Sequence, residues 1–528
     1  MQKPDTSSEI FPEKTALTIV AVAVLIAAVP YLPGKTLEGL EPLQFVSMLS
    51  LRLDFPGTSS GKTEAAKGTG VQPQTGAQAK APARPPEPQS PLAYLNVPPG
   101  SLTTFFAALQ RVEERQPGAI VRVLHYGDSP TSQDYITADV RALLDKRFGD
   151  AGHGFVLIAK PWAWYSHRGL ELDAQGWQIG PASSNLSRAK DGIHGLGGVS
   201  FRGGPGASSR VRLPDDEHTR ATVYYLAEPK GGVFRVRAAE QMLAEINTDA
   251  DVKHPGFVEV ALPGGTSEVE LTVTSGTVRL FGYRFDKDGP GIQYSSLGIN
   301  GARVQMVVAF FELSQWTSAL RHENPDLVIV NYGTNESIFS DYIDREYAGE
   351  LRTVIFRLRA ALPNASILIM SPMDRGVKGS DGTISTPAVL PRLIEVQRQV
   401  AAETGCAFFN TFEAMGGEGT MARWYSSAPR LVSADYMHPM PAGAARVGAL
   451  FEQALMGAYE SRSGRIQEAN GPQAPGKPPT AEPVSAAGSS SEEHAQNGLA
   501  RGGQARGVTL LSDTTALGLR ASEAKSSR

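Results

Sequence analysis

The sequence predicts an α/β protein: a three-layer α/β/α parallel sheet with an all-β sandwich domain inserted in it, preceded by one N-terminal transmembrane helix. Short apolar runs each followed by a helical repeat predict the sheet. A middle block of alternating strands predicts the insert, and an uncharged apolar run near the start predicts the membrane helix.

The first strand-then-helix unit is Ile120 to Leu124 followed by Asp134 to Phe148. The signature recurs at Leu327 to Val330 with Tyr342 to Leu362, at Ile367 to Met370 with Val389 to Ala402, and at Ala407 to Phe409 with Ala442 to Tyr459. Strands alternating with helices of this length imply parallel pairing with both faces covered. Between residues 200 and 290 the pattern changes to short alternating runs, such as Ala221 to Leu226 and Ser267 to Val273, separated by Gly, Pro and Asp turns. That spacing is the signature of a sandwich. The resulting organisation is a 1–15 tail, a 16–33 anchor, a 56–98 linker, an α/β domain over 99–199 and 291–460, a β insert over 200–290, and a 461–528 tail.

Residues 16–33 carry no charge. Eighteen residues in a helix span roughly 27 Å, just enough for the apolar layer of a bilayer. An uncleaved anchor is preferred to a cleaved signal peptide, for which Ala27 and Ala28 offer small residues near the end of the run. Basic residues nearly balance across the span, so charge does not orient it. The 56–98 stretch, rich in Gly, Ser, Gln and Pro, and the 461–528 tail lack the apolar residues needed to offset ordering entropy.

Of 528 residues, 41% are hydrophobic and 20% charged, with a formal net charge of −4. That balance speaks against nucleic acid as a partner, because phosphate binding needs a concentrated basic face. The single cysteine, Cys406, excludes an intramolecular disulfide and a Cys-only metal cluster. No metal and no cofactor is expected.

Three motifs sit at strand ends, where open parallel sheets form their ligand crevice: Gly127-Asp128-Ser129, Gly333-Thr334-Asn335, and Asp435-Tyr436-Met437-His438. Singly, each reads as a turn or a helix cap. In this order they resemble the blocks of the SGNH (GDSL) hydrolases, whose remaining block matches Gly301 within Gly298-Ile299-Asn300-Gly301. Pro130 stands where that family usually has leucine, and Glu336 where aspartate often follows the asparagine. Gly-x-Ser-x-Gly is absent around Ser129, so the nucleophile-elbow type of hydrolase is excluded.

The resemblance implies an ester hydrolase. Ser129 would be the nucleophile, His438 its base and Asp435 the partner of the imidazole. The oxyanion donors would be the Ser129 and Gly301 backbone N–H groups and the Asn335 amide. His125 and Asp128 read as structural. Trp162, Trp164 and Tyr165 read either as a sugar-stacking wall or as a plug between the domains.

The inserted β domain further resembles that of bacterial peptidoglycan and polysaccharide O-acetylesterases. This implies an acetylated polysaccharide or peptidoglycan substrate and a site of action in the periplasm or at the cell exterior, with the N-terminal helix in the inner membrane. The same triad would serve an O-acetyltransferase fed by a partner acyl-transport protein. A glycan-binding scaffold without catalysis is a third reading, against which the intact reactive set speaks.

Overall fold

The computed structural model describes residues 90–182 and 190–470, with side chains as far as Arg462. The expected transmembrane helix at 16–33 lies outside the described residues, as do the 56–89 part of the linker and residues 471–528. Among the described residues, no helix is long and apolar enough to cross a membrane.

The chain enters the fold earlier than the linker boundary at 98 implied. A turn at Pro91–Tyr94 leads into β1 (Leu95–Asn96), whose Leu95 is buried. Helix α1 (Thr103–Glu113) then leads to β2 (Ile120–Gly127), a short helix α2 (Ser129–Ser132) and α3 (Tyr135–Phe148). Asp134, expected in that helix, instead precedes it in the left-handed region at φ 53°. Its buried carboxylate pairs with Arg141 at 2.8 Å and accepts from the Arg168 N–H at 2.8 Å.

The all-β region follows as β3 (Gly154–Val156), β4 (Glu171–Pro181), β5 (Val199–Arg212), β6 (His218–Ala227), β7 (Val233–Ala238), β8 (Gln241–Asn247), β9 (His254–Ala261), β10 (Glu268–Ser275) and β11 (Val278–Lys287). It begins well before residue 200, since β3 pairs with β11 and β4 runs along β5. In β4 the half-buried Leu172, Ala174, Trp177 and Ile179 alternate with exposed residues, but a bulge at Gly176 shifts the period midway, which hides the strand in sequence. The two layers of the sandwich are also one continuous sheet. β5 pairs with β11 through Phe201 to Gly203 and with β10 through Ser208 to Arg212, bending across the Gly-Gly-Pro-Gly run between them. Tyr225 of β6 meets Phe234 of β7 at 5.6 Å between ring centroids, across the interior so formed.

The chain returns as β12 (Gly291–Gly298), parallel to β2, and continues through α4 (Val304–Phe310), α5 (Leu313–Glu323) and β13 (Leu327–Asn331). Helix α6 (Ala348–Ala361), β14 (Ser366–Met370), a small hairpin of β15 (Val377–Lys378) and β16 (Ile384–Ser385), α7 (Val389–Thr404), β17 (Ala407–Phe409) and α8 (Pro441–Asn470) complete it. Helix α8 carries the fold ten residues into the expected 461–528 tail, and Arg462 of that overrun donates to the Thr103 carbonyl.

The central sheet has the order β1-β17-β14-β13-β2-β12, parallel except for β1. Alternate residues serve opposite faces, as the period of a strand requires. Val328 and Val330 enter one core, and Leu327 and Ile329 the other. The first core continues without a break into the β insert through Phe155, Tyr224 and Trp316. Phe257 of β9 stacks on His322 of α5 at 4.0 Å, fixing the insert against the α/β layers. Strand β2 lies between β12 and β13, so successive connections leave it in opposite directions, and the loops after these three strands meet at one crevice.

Candidate active site

Ser129 starts α2, directly after β2. A Cβ on Gly127 would lie 2.1 Å from Thr131 Oγ1, and one on the paired Gly298 of β12 would lie 2.1 Å from the Ser132 nitrogen. Two adjacent strands therefore present bare backbone on which the nucleophile turn rests. Ser129 is almost wholly buried, and its side chain is aimed by what it bonds.

His438 Nε2 stands 2.8 Å from Ser129 Oγ, and His438 Nδ1 stands 2.7 Å from Asp435 Oδ2. The histidine loop is held from both sides. The Met437 and His438 N–H groups donate to Asp435 Oδ1 at 3.0 Å, the Ser433 N–H donates to the His438 carbonyl, and the Gly376 N–H to that of Tyr436. Tyr436 takes φ 58°, which lets two residues separate Asp435 from His438 while both face Ser129. Desolvation would raise the Asp435 pKa, but hydrogen bonds from His438 and Ser433 prevail and hold it well below the usual carboxylate range. Asp435 is thus an anion placed to fix the imidazole tautomer and stabilise an imidazolium.

The expected oxyanion donors sit on turns tied to the nucleophile strand and to one another. The Ser129 N–H lies in the first turn of α2, where no intrahelical acceptor exists. The turn over Ile299 to Ala302 is closed by the Ala302 N–H donating to the Ile299 carbonyl, and it is tied to β2 by the Ile299 N–H donating to the Gly127 carbonyl. Gly301 occupies the third position of that turn at φ 71°, with open space where a Cβ would be. Asn335 Nδ2 donates one hydrogen to the Ala302 carbonyl at 2.8 Å and keeps the other free. Each such donor is worth about 3 kcal/mol of barrier in acyl transfer.

Two buried acids underlie the site. Asp128 is pushed up to about 6 by burial, against hydrogen bonds from Thr334 and the charge of His438. Glu336 is pushed up to about 8 by burial, opposed by the hydrogen bond from the Val304 N–H, which Oε1 accepts at 2.8 Å. The departure at Glu336 therefore has a local role: the longer side chain reaches the start of α4 and pins the end of the oxyanion turn.

A group whose folded pKa is raised contributes stability that is complete below its unfolded pKa, near 4.5, and lost as pH rises through about 8. Glu336→Gln, neutral throughout, should remove about 2 kcal/mol of the stability loss between pH 6 and pH 9. Urea unfolding of both proteins at the two pH values checks this, and parallel losses would refute it.

His125 is structural here. It is buried, bonded through Nδ1 to the Tyr294 hydroxyl at 2.7 Å, and pushed down to about 4 by desolvation. The aromatic trio divides. Tyr165 is buried and its hydroxyl accepts from the Leu157 N–H, so it belongs to the core and not to a stacking wall. Trp162 packs partly buried against that core, and Trp164 alone is 52% exposed. The adjoining Ser166 anchors this loop to the carbonyls of Ser132 and Gln133, just beyond the nucleophile. Arg375 escaped the sequence reading. It stands in the loop after β14, and a charged residue on a loop at the carboxyl end of a parallel strand was the signal available.

A family model described as the GDSL-like lipase/acylhydrolase family matches residues 265–446. That stretch includes Gly301, Asn335, Asp435 and His438, whereas Ser129 precedes the β insert. No curated protein matches the chain significantly. Among solved structures, a peptidoglycan O-acetylesterase is similar at 24% identity and TM-score 0.58, over 68% of this chain and 97% of that one. A family two carbohydrate esterase from Clostridium thermocellum, in complex with cellohexaose, matches at 12% identity and TM-score 0.23, over 56% of this chain and 99% of its own, too distant to bear on the fold. The family match over residues 265–446 and the closed Ser-His-Asp line lead to one assignment: this domain resembles the GDSL-like lipase/acylhydrolases and carries the reactive set of a carboxylic ester hydrolase.

Proposed function

We propose that this protein removes O-acetyl groups from a cell-wall or extracellular polysaccharide through an acyl-enzyme on Ser129. The observation that carries the reading is the continuous line from Asp435 through His438 to Ser129, with both links shorter than 3 Å. The similarity in fold to a peptidoglycan O-acetylesterase supports the choice of acyl group and substrate class. The uncharged run at 16–33 supports a single-pass anchor, and a cell-wall or extracellular substrate goes with a body in the periplasm or at the cell exterior.

In the forward half-reaction Ser129 Oγ attacks the acetyl carbonyl carbon as its proton passes to His438 Nε2. The carbonyl oxygen takes up negative charge facing the Ser129, Gly301 and Asn335 donors. The C–O bond to the sugar then breaks, and the imidazolium returns the proton to the departing sugar oxygen. Water repeats the sequence on the acetyl-Ser129 ester, releasing acetate and restoring the hydroxyl.

Two measurements test this. A sulfonyl fluoride should modify Ser129, located by mass spectrometry of the peptide. Incubation with an O-acetylated glycan should release one acetate per ester lost. Unlabelled Ser129, or acetyl groups recovered on a second sugar hydroxyl instead of as acetate, would overturn the hydrolytic reading.

A further inference from the structure

The guanidinium of Arg375 stands beside the triad, within the field of Asp435 and Asp128 but without an ion pair among the described residues. Its Nη1 donates to the Thr334 carbonyl at 2.9 Å, one residue before Asn335, and this is its only side-chain hydrogen bond among the described residues. The buried arginines are each met by carboxylates, Arg141 by Asp134, Arg279 by Asp191 and Glu228, and Arg284 by Asp286 and Glu323, whereas half-buried Arg375, like Arg357 and Arg359, bonds a carbonyl instead. Arg375 forms no ion pair among the described residues, and its remaining N–H groups are not sealed from solvent.

The backbone that carries it is anchored at both neighbours. Asp374 is buried, with Oδ2 accepting from the Met421 N–H and Oδ1 from the Thr386 hydroxyl and the Arg375 N–H. Gly376 donates to Tyr436 on the triad loop. Of the two acids that the guanidinium faces, Asp435 is engaged with His438 and Ser433, and Asp128 is bonded to Thr334 while its buried Oδ2 has no partner among the described residues. Burial lowers the Arg375 pKa, yet an arginine keeps its charge in proteins. A rigidly mounted, half-buried cation with free donors next to an acyl-transfer site matches a planar anion carried by the substrate.

We propose that Arg375 is a specificity-determining residue that binds a carboxylate on the acetylated sugar, so that the preferred substrate is an acidic glycan whose carboxylate lies close to the ester. The proposal rests on the esterase reading above and names a property of its substrate. Arg375 also holds the Thr334 carbonyl, so removing it disturbs Asn335 for every ester. The informative quantity is therefore a ratio: kcat/KM for an acetylated hexose bearing a carboxymethyl ether, divided by kcat/KM for the same acetylated hexose without it.

Wild-type protein is expected to favour the carboxylated ester. Arg375→Gln should lower the ratio by about tenfold or more, mainly through KM, and Arg375→Lys should restore part of it because charge is kept while the planar fork is lost. A thermal melt of each variant verifies folding. Equal losses on both esters, or an unchanged ratio in a folded variant, would overturn the proposal while leaving the esterase reading in place. Wild-type inactivity on both esters would overturn the esterase reading, and the role of Arg375 with it.

Discussion

Ser129→Ala should reduce the hydrolysis of an acetyl ester by on the order of 10⁴-fold or more while leaving the thermal melt near that of the wild type. The Ser129 hydroxyl makes its close contact with His438 Nε2, so its loss removes the attacking atom and leaves the main-chain frame intact. His438→Ala should be comparably severe, because without the imidazole neither the attacking hydroxyl nor the departing sugar oxygen has a proton partner. Asp435→Asn should fall short of these two. It keeps an acceptor for the Met437 and His438 N–H groups but replaces the anion facing His438 Nδ1 with a neutral amide. The Asp435 side chain is 47% exposed, so water partly replaces what the carboxylate supplied, and a loss of about 10²-fold to 10⁴-fold is expected. Because the three residues act as one unit, the double variant Ser129→Ala/His438→Ala should be little worse than either single one. Losses that multiply would show that Ser129 and His438 do not act in a common step.

The reacting groups were legible in the sequence because each lies in a short block tied to a strand end, where chemistry depends on residue type and order. What the sequence did not disclose depends on distant partners. The β insert was read from its alternating strands, yet β4 escaped because a bulge at Gly176 interrupts its alternation. β1 escaped because two residues in a proline-rich setting carry no period, although Leu95 is buried and β17 supplies its pairing. Tyr165 looked like part of an aromatic surface because Trp162-Ala163-Trp164-Tyr165 is contiguous in sequence. In the fold, successive side chains of that loop diverge, one into the core and one into solvent. Glu336 looked like a departure from the family pattern, and only the position of the Val304 N–H shows what its length reaches. Arg375 carried only a weak local signal, its place in the loop after β14, and acquires meaning from its position beside the triad loop.

Gly298 and Gly301 lie three residues apart in one block, and their surroundings predict different responses to alanine. A Cβ on Gly298 would lie 2.1 Å from the Ser132 nitrogen, 2.5 Å from the Thr131 carbonyl carbon and 2.6 Å from Ser132 Cα. All three are backbone atoms of the nucleophile turn, so no side chain can swing away and α2 itself must move. Gly298→Ala should therefore cost about 2 kcal/mol of stability through overpacking, and about 10²-fold in kcat, since a shift of the order of 1 Å spoils the line from Ser129 to His438. Gly301 meets nothing within 4 Å, and its constraint is φ 71° alone. Gly301→Ala keeps the N–H that would face the oxyanion and adds about 1–2 kcal/mol of left-handed backbone strain, with a smaller loss in kcat than Gly298→Ala. Urea unfolding and steady-state turnover of the two variants separate a glycine kept for packing from a glycine kept for backbone conformation. A mild Gly298→Ala beside a crippling Gly301→Ala would show that the nucleophile turn does not rest on β12 as the close approach requires.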